Sequence, residues 1–158
     1  MTLQKDLKQG KYNEIKVISW LNKFKYELDK FIAYSFKFNR VDFSNADIIG
    51  ELKSRNCNHD RFPDTMFGSG KLLYYLNNQN NKEFKVYFLF NNGLYVWPYT
   101  DICDNEYTIR PYYHTEKEIW ELYCFVKKEY LQLITTDITT QKDIMNYKDK
   151  EDYFLIES

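Results

Sequence analysis

Asp42, Glu51 and Lys53 bring two carboxylates and an ammonium into one short stretch of chain. Glu51 and Lys53 are two apart in Ile48-Ile49-Gly50-Glu51-Leu52-Lys53-Ser54, a run that reads as a strand, so their side chains leave the same face. Ile48, Ile49 and Leu52 mark that strand as buried, where a carboxylate and an ammonium are costly unless paired or bound to a metal. Asp42 lies on the preceding strand, across the turn Ser44-Asn45-Ala46-Asp47, within reach of Glu51. Two convergent carboxylates prefer a hard divalent cation, Mg²⁺ by default and Mn²⁺ in its stead. A metal held by Asp42 and Glu51 can polarise a phosphoryl oxygen and lower the pKa of a bound water. Lys53 can orient that water or stabilise charge on a phosphorane-like transition state. The same string also describes an ordinary Glu/Lys pair on a surface hairpin. Asp47 competes as the first acid, but it falls in the turn only four residues before Glu51, which favours Asp42.

The elements that must position these groups follow from periodicity. Residues 13–28 set Glu14, Val17, Ile18, Leu21, Phe24 and Leu28 at helical spacing, with Lys16, Lys23 and Lys25 between them. Residues 36–43 alternate as a strand and residues 48–54 form a second. A polar loop runs from Arg55 to about Asp64, and a short helix follows from about Ser69 to Leu76. Asn91-Asn92-Gly93 joins two aromatic strands, 84–90 and 94–99, as a hairpin, with Pro98 at a strand end or edge. Residues 119–126 read as a further strand and Glu129–Ile134 as a short helix. This order describes a mixed β-sheet flanked by helices, α/β or α+β by class and read as α/β, in one domain over 1–134, with a C-terminal tail over 135–158 that is partly ordered by docking.

Bulk properties bound the function. Hydrophobic residues are 44% and charged residues 28% of the 158, a globular composition rather than a disordered one. No apolar run approaches the roughly 18 residues of a membrane span, and Met1-Thr2-Leu3-Gln4-Lys5-Asp6 lacks a signal peptide's apolar stretch. Three scattered cysteines, Cys57, Cys103 and Cys124, imply no disulfide framework, so the expected compartment is reducing and cytoplasmic. Net charge is −1, which by itself argues against strong nonspecific binding to nucleic acid. Its distribution is uneven. Residues 1–75 hold 13 Lys/Arg against 9 Asp/Glu, and the remainder 9 against 14. The carboxylate cluster thus sits in the cationic half, as metal-dependent chemistry on a polyanion requires. Abundant Tyr, Phe, Asn, Lys and Ile suggest an AT-rich genome, viral or phage among them.

Over residues 10–100 the chain resembles the PD-(D/E)XK nuclease superfamily, particularly its small phage and viral-type members. The matching residues are Gly10-Lys11-Tyr12-Asn13-Glu14 leading into Val17 and Leu21, then Asp42, then Glu51-Leu52-Lys53-Ser54-Arg55. Lys71 follows on the next helix, after Phe62-Pro63-Asp64-Thr65. Val41 stands where the motif has its proline. The resemblance implies a restriction-endonuclease-like fold and a Mg²⁺-dependent nuclease acting on DNA. It implies metal ligation by Asp42, Glu51 and the Leu52 position between Glu51 and Lys53, a catalytic Lys53, and supporting roles for Glu14 and Lys71. It also allows a non-catalytic member of the fold, a nucleic-acid-binding or structural subunit of a virion, because fold does not set function. A plain protein–protein adaptor would follow if Asp42 and Glu51 pointed apart. A homodimer and association with other viral or phage proteins, in the host cytoplasm or the virion, stay open.

Other signals are weaker. Gly68-Ser69-Gly70-Lys71 resembles the end of a P-loop, but Thr65 stands at the first glycine and Leu72 at the Mg²⁺-binding hydroxyl, so a tight turn before a helix fits better. Cys57 and His59 lack a second pair for zinc, and His114 reads as a loop histidine. The aromatic residues of the 84–99 hairpin could stack on bases, although at strand spacing they suit a core.

Overall fold

The computed structural model describes residues 3–24, 26, 31–33 and 42–141. Most of the strand expected over 36–43, the Val41 position and the tail from 142 onward lie outside the described residues. Helix α1 (Leu3–Lys23) starts ten residues before the apolar stripe that predicts it and ends five residues sooner than 28. Two short strands, β1 (Ile32–Ala33) and β2 (Phe43–Ser44), lead to β3 (Ile48–Ser54), which matches its sequence bounds. Next come β4 (Asp64–Gly68), α2 (Ser69–Asn77), the hairpin strands β5 (Glu83–Phe90) and β6 (Gly93–Pro98), then β7 (Tyr107–His114), β8 (Ile119–Lys127) and β9 (Gln132–Thr135).

The class is mixed α/β. Among the described residues two helices accompany two sheets. The larger sheet has the order β1-β2-β3-β5-β6-β9, and β4, β8 and β7 form the smaller one. Within the larger sheet β3 and β5 run parallel, and the other pairs are antiparallel. The parallel pair needs a crossover, which β4 and α2 supply.

Alternation along β3 sends its residues to different layers. Leu52 joins Val17, Ile18 and Leu21 of α1 in one apolar cluster, with Phe43, Tyr87 and Leu89. Ile49 joins the opposite cluster, where Leu72 and Tyr75 of α2 meet Phe84, Val86 and Trp97 and the smaller sheet's Phe67, Cys124 and Val126. The larger sheet therefore lies between α1 on one face and α2 with the smaller sheet on the other. Gly50 is required at its position because the Phe43 ring fills the place of a side chain: an added Cβ would lie 2.3 Å from Phe43 Cε2. Gly93, with φ near 154°, ends the hairpin turn where the Thr135 carbonyl would come within 2.9 Å of a Cβ.

The segment expected as a helix over Glu129–Ile134 is a 3₁₀ turn at Lys128–Tyr130 followed by β9, whose residues pair with Leu94–Val96. Beyond β9, Ile138 is fully buried against the α1 layer. The equally buried Lys16 donates from Nζ to the Thr139 carbonyl at 2.8 Å, spanning 123 residues of sequence. Asn22 closes the other end of α1 by bonding both the amide and the carbonyl of Phe31. Strands β4 and β7 have no counterpart among the sequence expectations, and His114 is the last residue of β7 rather than part of a loop. Among the described residues no helix is long and apolar enough to cross a membrane.

Candidate active site at Glu51

Glu51 is the centre of the site. Its neighbours on β3, Gly50 and Leu52, face α1, so alternation turns Glu51 and Lys53 toward α2 and the smaller sheet. The Glu51 side chain is 1% exposed. Lys53 Nζ lies 3.5 Å and Lys71 Nζ 3.6 Å from the same oxygen, Oε1. Both lysines keep about a third of their side chains in contact with solvent, so each ammonium bridges the buried carboxylate and the surface. Lys71 arrives from the first turn of α2, which starts after Gly68; the glycine-rich turn thus aims a lysine at a carboxylate.

Asp42 stands one residue before β2, whose Phe43 is in register with Gly50, so Asp42 comes beside Glu51. Its amide donates to the Gly50 carbonyl at 3.2 Å, and its Oδ2 accepts the Leu52 amide at 2.8 Å. Leu52 therefore takes part through its backbone, while its side chain is buried beneath α1.

Burial pushes the Glu51 carboxyl up to about 8, reinforced by the Asp42 charge and opposed by Lys53 and Lys71. Its other oxygen, Oε2, is buried and has no hydrogen-bond partner. Leaving such an atom unsatisfied is costly, and a hard cation is the ligand a carboxylate oxygen beside a second carboxylate would take. Among the described residues no group of three or more His, Cys, Asp or Glu converges, so Asp42 and Glu51 are a two-carboxylate set. Mg²⁺ accommodates this, since it usually keeps several waters and one or two protein carboxylates.

The structure thus brings together Asp42, Glu51, Lys53 and Lys71. Glu14 is placed differently. It sits on α1, on the other side of the larger sheet, 3.3 Å from Lys11 Nζ. There it lines a polar groove with Asn13, Ser54 and Asn56, which Lys53 also lines. The Asn13 amide donates to Ser54 Oγ at 3.1 Å, tying α1 to the end of β3. Asp47, the competing acid, is exposed in the turn, where its amide and that of Ile48 bond Asn45 Oδ1.

Arg55 has no role in the sequence reading, yet it extends the site. Its guanidinium donates to Thr65 Oγ1 at 3.4 Å and to the Ser54 and Met66 carbonyls, tying β3 to β4. Burial lowers its pKa from the ordinary value. An arginine two residues beyond Lys53 would share its strand face, which is the signal that could have found it. The zinc alternative fares worse, because the His59 ring stacks on Tyr95 at 4.2 Å and its Nε2 meets the Lys128 carbonyl. Comparison of the chain with protein-family models, curated proteins and solved structures yields no match.

Proposed function

We propose that the chain is a metal-dependent nuclease of the PD-(D/E)XK type that hydrolyses DNA phosphodiester bonds. The observation that carries this reading is the buried, unpartnered Oε2 of Glu51, next to Asp42 and flanked by two lysines. A mixed sheet with helices against both faces, and a carboxylate and lysine two apart on one of its central strands, support the restriction-endonuclease-like assignment.

Asp42 and Glu51 would hold Mg²⁺ or Mn²⁺, which supplies Lewis acidity toward a phosphoryl oxygen and a water acidic enough to attack at neutral pH. Lys53 and Lys71 fix Oε1 of Glu51, so the carboxylate keeps one orientation and Oε2 remains for the cation. The Leu52 amide does the same for Asp42. Lys53, partly exposed at the groove, meets the scissile phosphate and stabilises the charge that builds there as water attacks. Lys71 counters charge on the same phosphate from the α2 side. No side chain of this set is an evident nucleophile, so attack by water without a covalent enzyme intermediate is the economical route.

A second reading, a non-catalytic nuclease-fold subunit that binds nucleic acid, draws on the two lysines that already occupy one oxygen of Glu51. Calorimetric titration with Mg²⁺ or Mn²⁺, alongside incubation with single-stranded, duplex and branched DNA, separates the two. Divalent binding with chelator-sensitive cleavage is the expected result. Neither binding nor cleavage of any DNA form overturns the catalytic reading.

A further inference from the structure

The outward face of the smaller sheet is chemically distinct from the core face behind it. Alternation in β8 buries Cys124 and Val126 and turns Tyr123 and Phe125 outward, in register with Arg110 and Thr108 of β7 and with Gly68 and Met66 of β4. A cavity of about 360 Å³ opens on this face, walled by Phe62, Met66, Tyr112 and Phe125, with Arg55 among its lining residues. Phe62 is 55% and Tyr112 42% exposed, an unusual presentation of flat aromatic surface beside a cavity. Arg55 and Lys128 line it together with the acid Asp64, and Arg110, whose guanidinium lies 3.9 Å over the Phe125 ring, bonds that acid at 2.8 Å.

Arg55 joins this cavity to the proposed catalytic centre. It lines both the aromatic cavity and the polar groove that contains Lys53. Lys53 and Arg55 are two residues apart, about 7 Å of extended chain, a spacing comparable to one nucleotide of an extended single strand.

We infer that this cavity is a stacking slot for one unpaired nucleobase of a DNA strand whose backbone passes Arg55 to the Glu51 centre, so the preferred substrate is single-stranded or locally unpaired DNA. The polymer's identity rests on the nuclease reading; the slot rests on the cavity. Aromatic walls accept the π-face of any base, and the lining cations suit the phosphates on either side of it. Arg110 is already paired with Asp64 and Arg55 with carbonyl oxygens, so it is the Lys128 ammonium, bonded to the Asp60 carbonyl at 3.5 Å, that an apolar side chain or an acyl chain would leave without an anionic partner. Paired bases inside a duplex cannot enter without being flipped out.

The test is fluorescence anisotropy with a labelled oligothymidylate, its abasic counterpart and a blunt duplex, all in chelator so that no cleavage intervenes. Phe62→Ala and Tyr112→Ala are each expected to weaken single-strand binding about tenfold and to leave duplex binding unchanged within about twofold. Tyr112→Phe, which keeps the ring, restores binding. Wild type is expected to bind the abasic strand as weakly as Tyr112→Ala binds the normal one. Both positions are exposed, so thermal melts of the variants should overlay wild type. Oligothymidylate and abasic strands bound equally well by wild type, or alanine variants that bind like wild type, overturn the slot. Such a failure with chelator-sensitive cleavage intact removes the slot and leaves the nuclease. Base-dependent binding without cleavage removes the nuclease and leaves the slot.

Discussion

Glu51→Gln converts the buried carboxyl to a neutral group of the same shape and should stabilise the metal-free protein in a pH-dependent way. The folded state holds a proton on Glu51 up to about pH 8, whereas the unfolded chain releases it near 4.5. Between those values the folded state binds more protons, so wild-type stability falls as pH rises, and it levels off above about 8. Each unit of separation is worth about 1.4 kcal/mol, which puts the accumulated loss at about 3 kcal/mol by pH 7 and about 5 kcal/mol by pH 9. At 1% exposure the carboxyl has little solvent to screen it. Glu51→Gln lacks this titration. In chelator it should match wild type near pH 4.5 and exceed it by about 3 kcal/mol at pH 7, or about 6–12 °C in Tm for a chain of this length. Urea unfolding of both proteins at several pH values provides the measurement. Saturating Mg²⁺ should close the gap from the wild-type side, because a cation that binds only the folded, ionised site adds its binding energy to stability. A stability difference that stays constant from pH 5 to pH 9 would refute the raised carboxyl, and with it the electrostatic account of the site.

Three further outcomes follow from the same geometry. Asp42→Asn removes the neighbouring charge that helps raise Glu51 while keeping an oxygen for the Leu52 amide, so the Glu51 titration should move to lower pH by carbon-detected NMR. Lys53→Ala should retain Mn²⁺ binding by calorimetry yet lower cleavage by about 10² or more, since an ammonium stabilises charge without ligating metal, whereas Glu51→Ala should abolish both. Gly50→Ala should cost about 1–3 kcal/mol in denaturant unfolding by driving a methyl into the Phe43 ring, and Phe43→Leu in the same chain should recover part of that loss.

The parts of the fold legible in the sequence are those where local pattern and burial agree. β3 shows its bounds through Ile48, Ile49 and Leu52, and the β5–β6 hairpin through Asn91-Asn92-Gly93 between aromatic runs. β4 was hidden because Phe67 alone of its five residues is buried, so no alternation emerges from the polar loop before it. β7 was hidden for a related reason. It is an edge strand, exposed along most of both faces, and it tolerates Pro111 as an interior strand would not. Gln132–Thr135 looked helical beside the Lys128–Tyr130 turn, but pairing with β6 decides its conformation. In the site, the spacing of Glu51 and Lys53 was enough to place them on one face. The Glu51–Lys71 ion pair depends on the crossover through α2, which residue spacing does not encode. Glu14 lies on the helix that covers the Leu52 face of the strand, where it lines one groove with Lys53, while Glu51 looks toward the other face.

The contact between Lys16 and Thr139 bears on how the protein is made. Helix α1 leaves the ribosome ahead of the rest of the described fold, but the carbonyl that receives its buried ammonium is encoded 123 residues later. At about 5–20 residues per second, the helix waits about 6–25 s for that acceptor. Docking α1 sooner would bury Lys16 before its hydrogen bond to Thr139 can form, so α1 gains this tie only late in synthesis. The larger sheet can pair from β2 to β6 in that interval, and the Lys16 tie on α1 forms only after Thr139 has emerged. A nascent polypeptide released before Thr139 should accordingly hold its helix loosely and be cut by protease within α1.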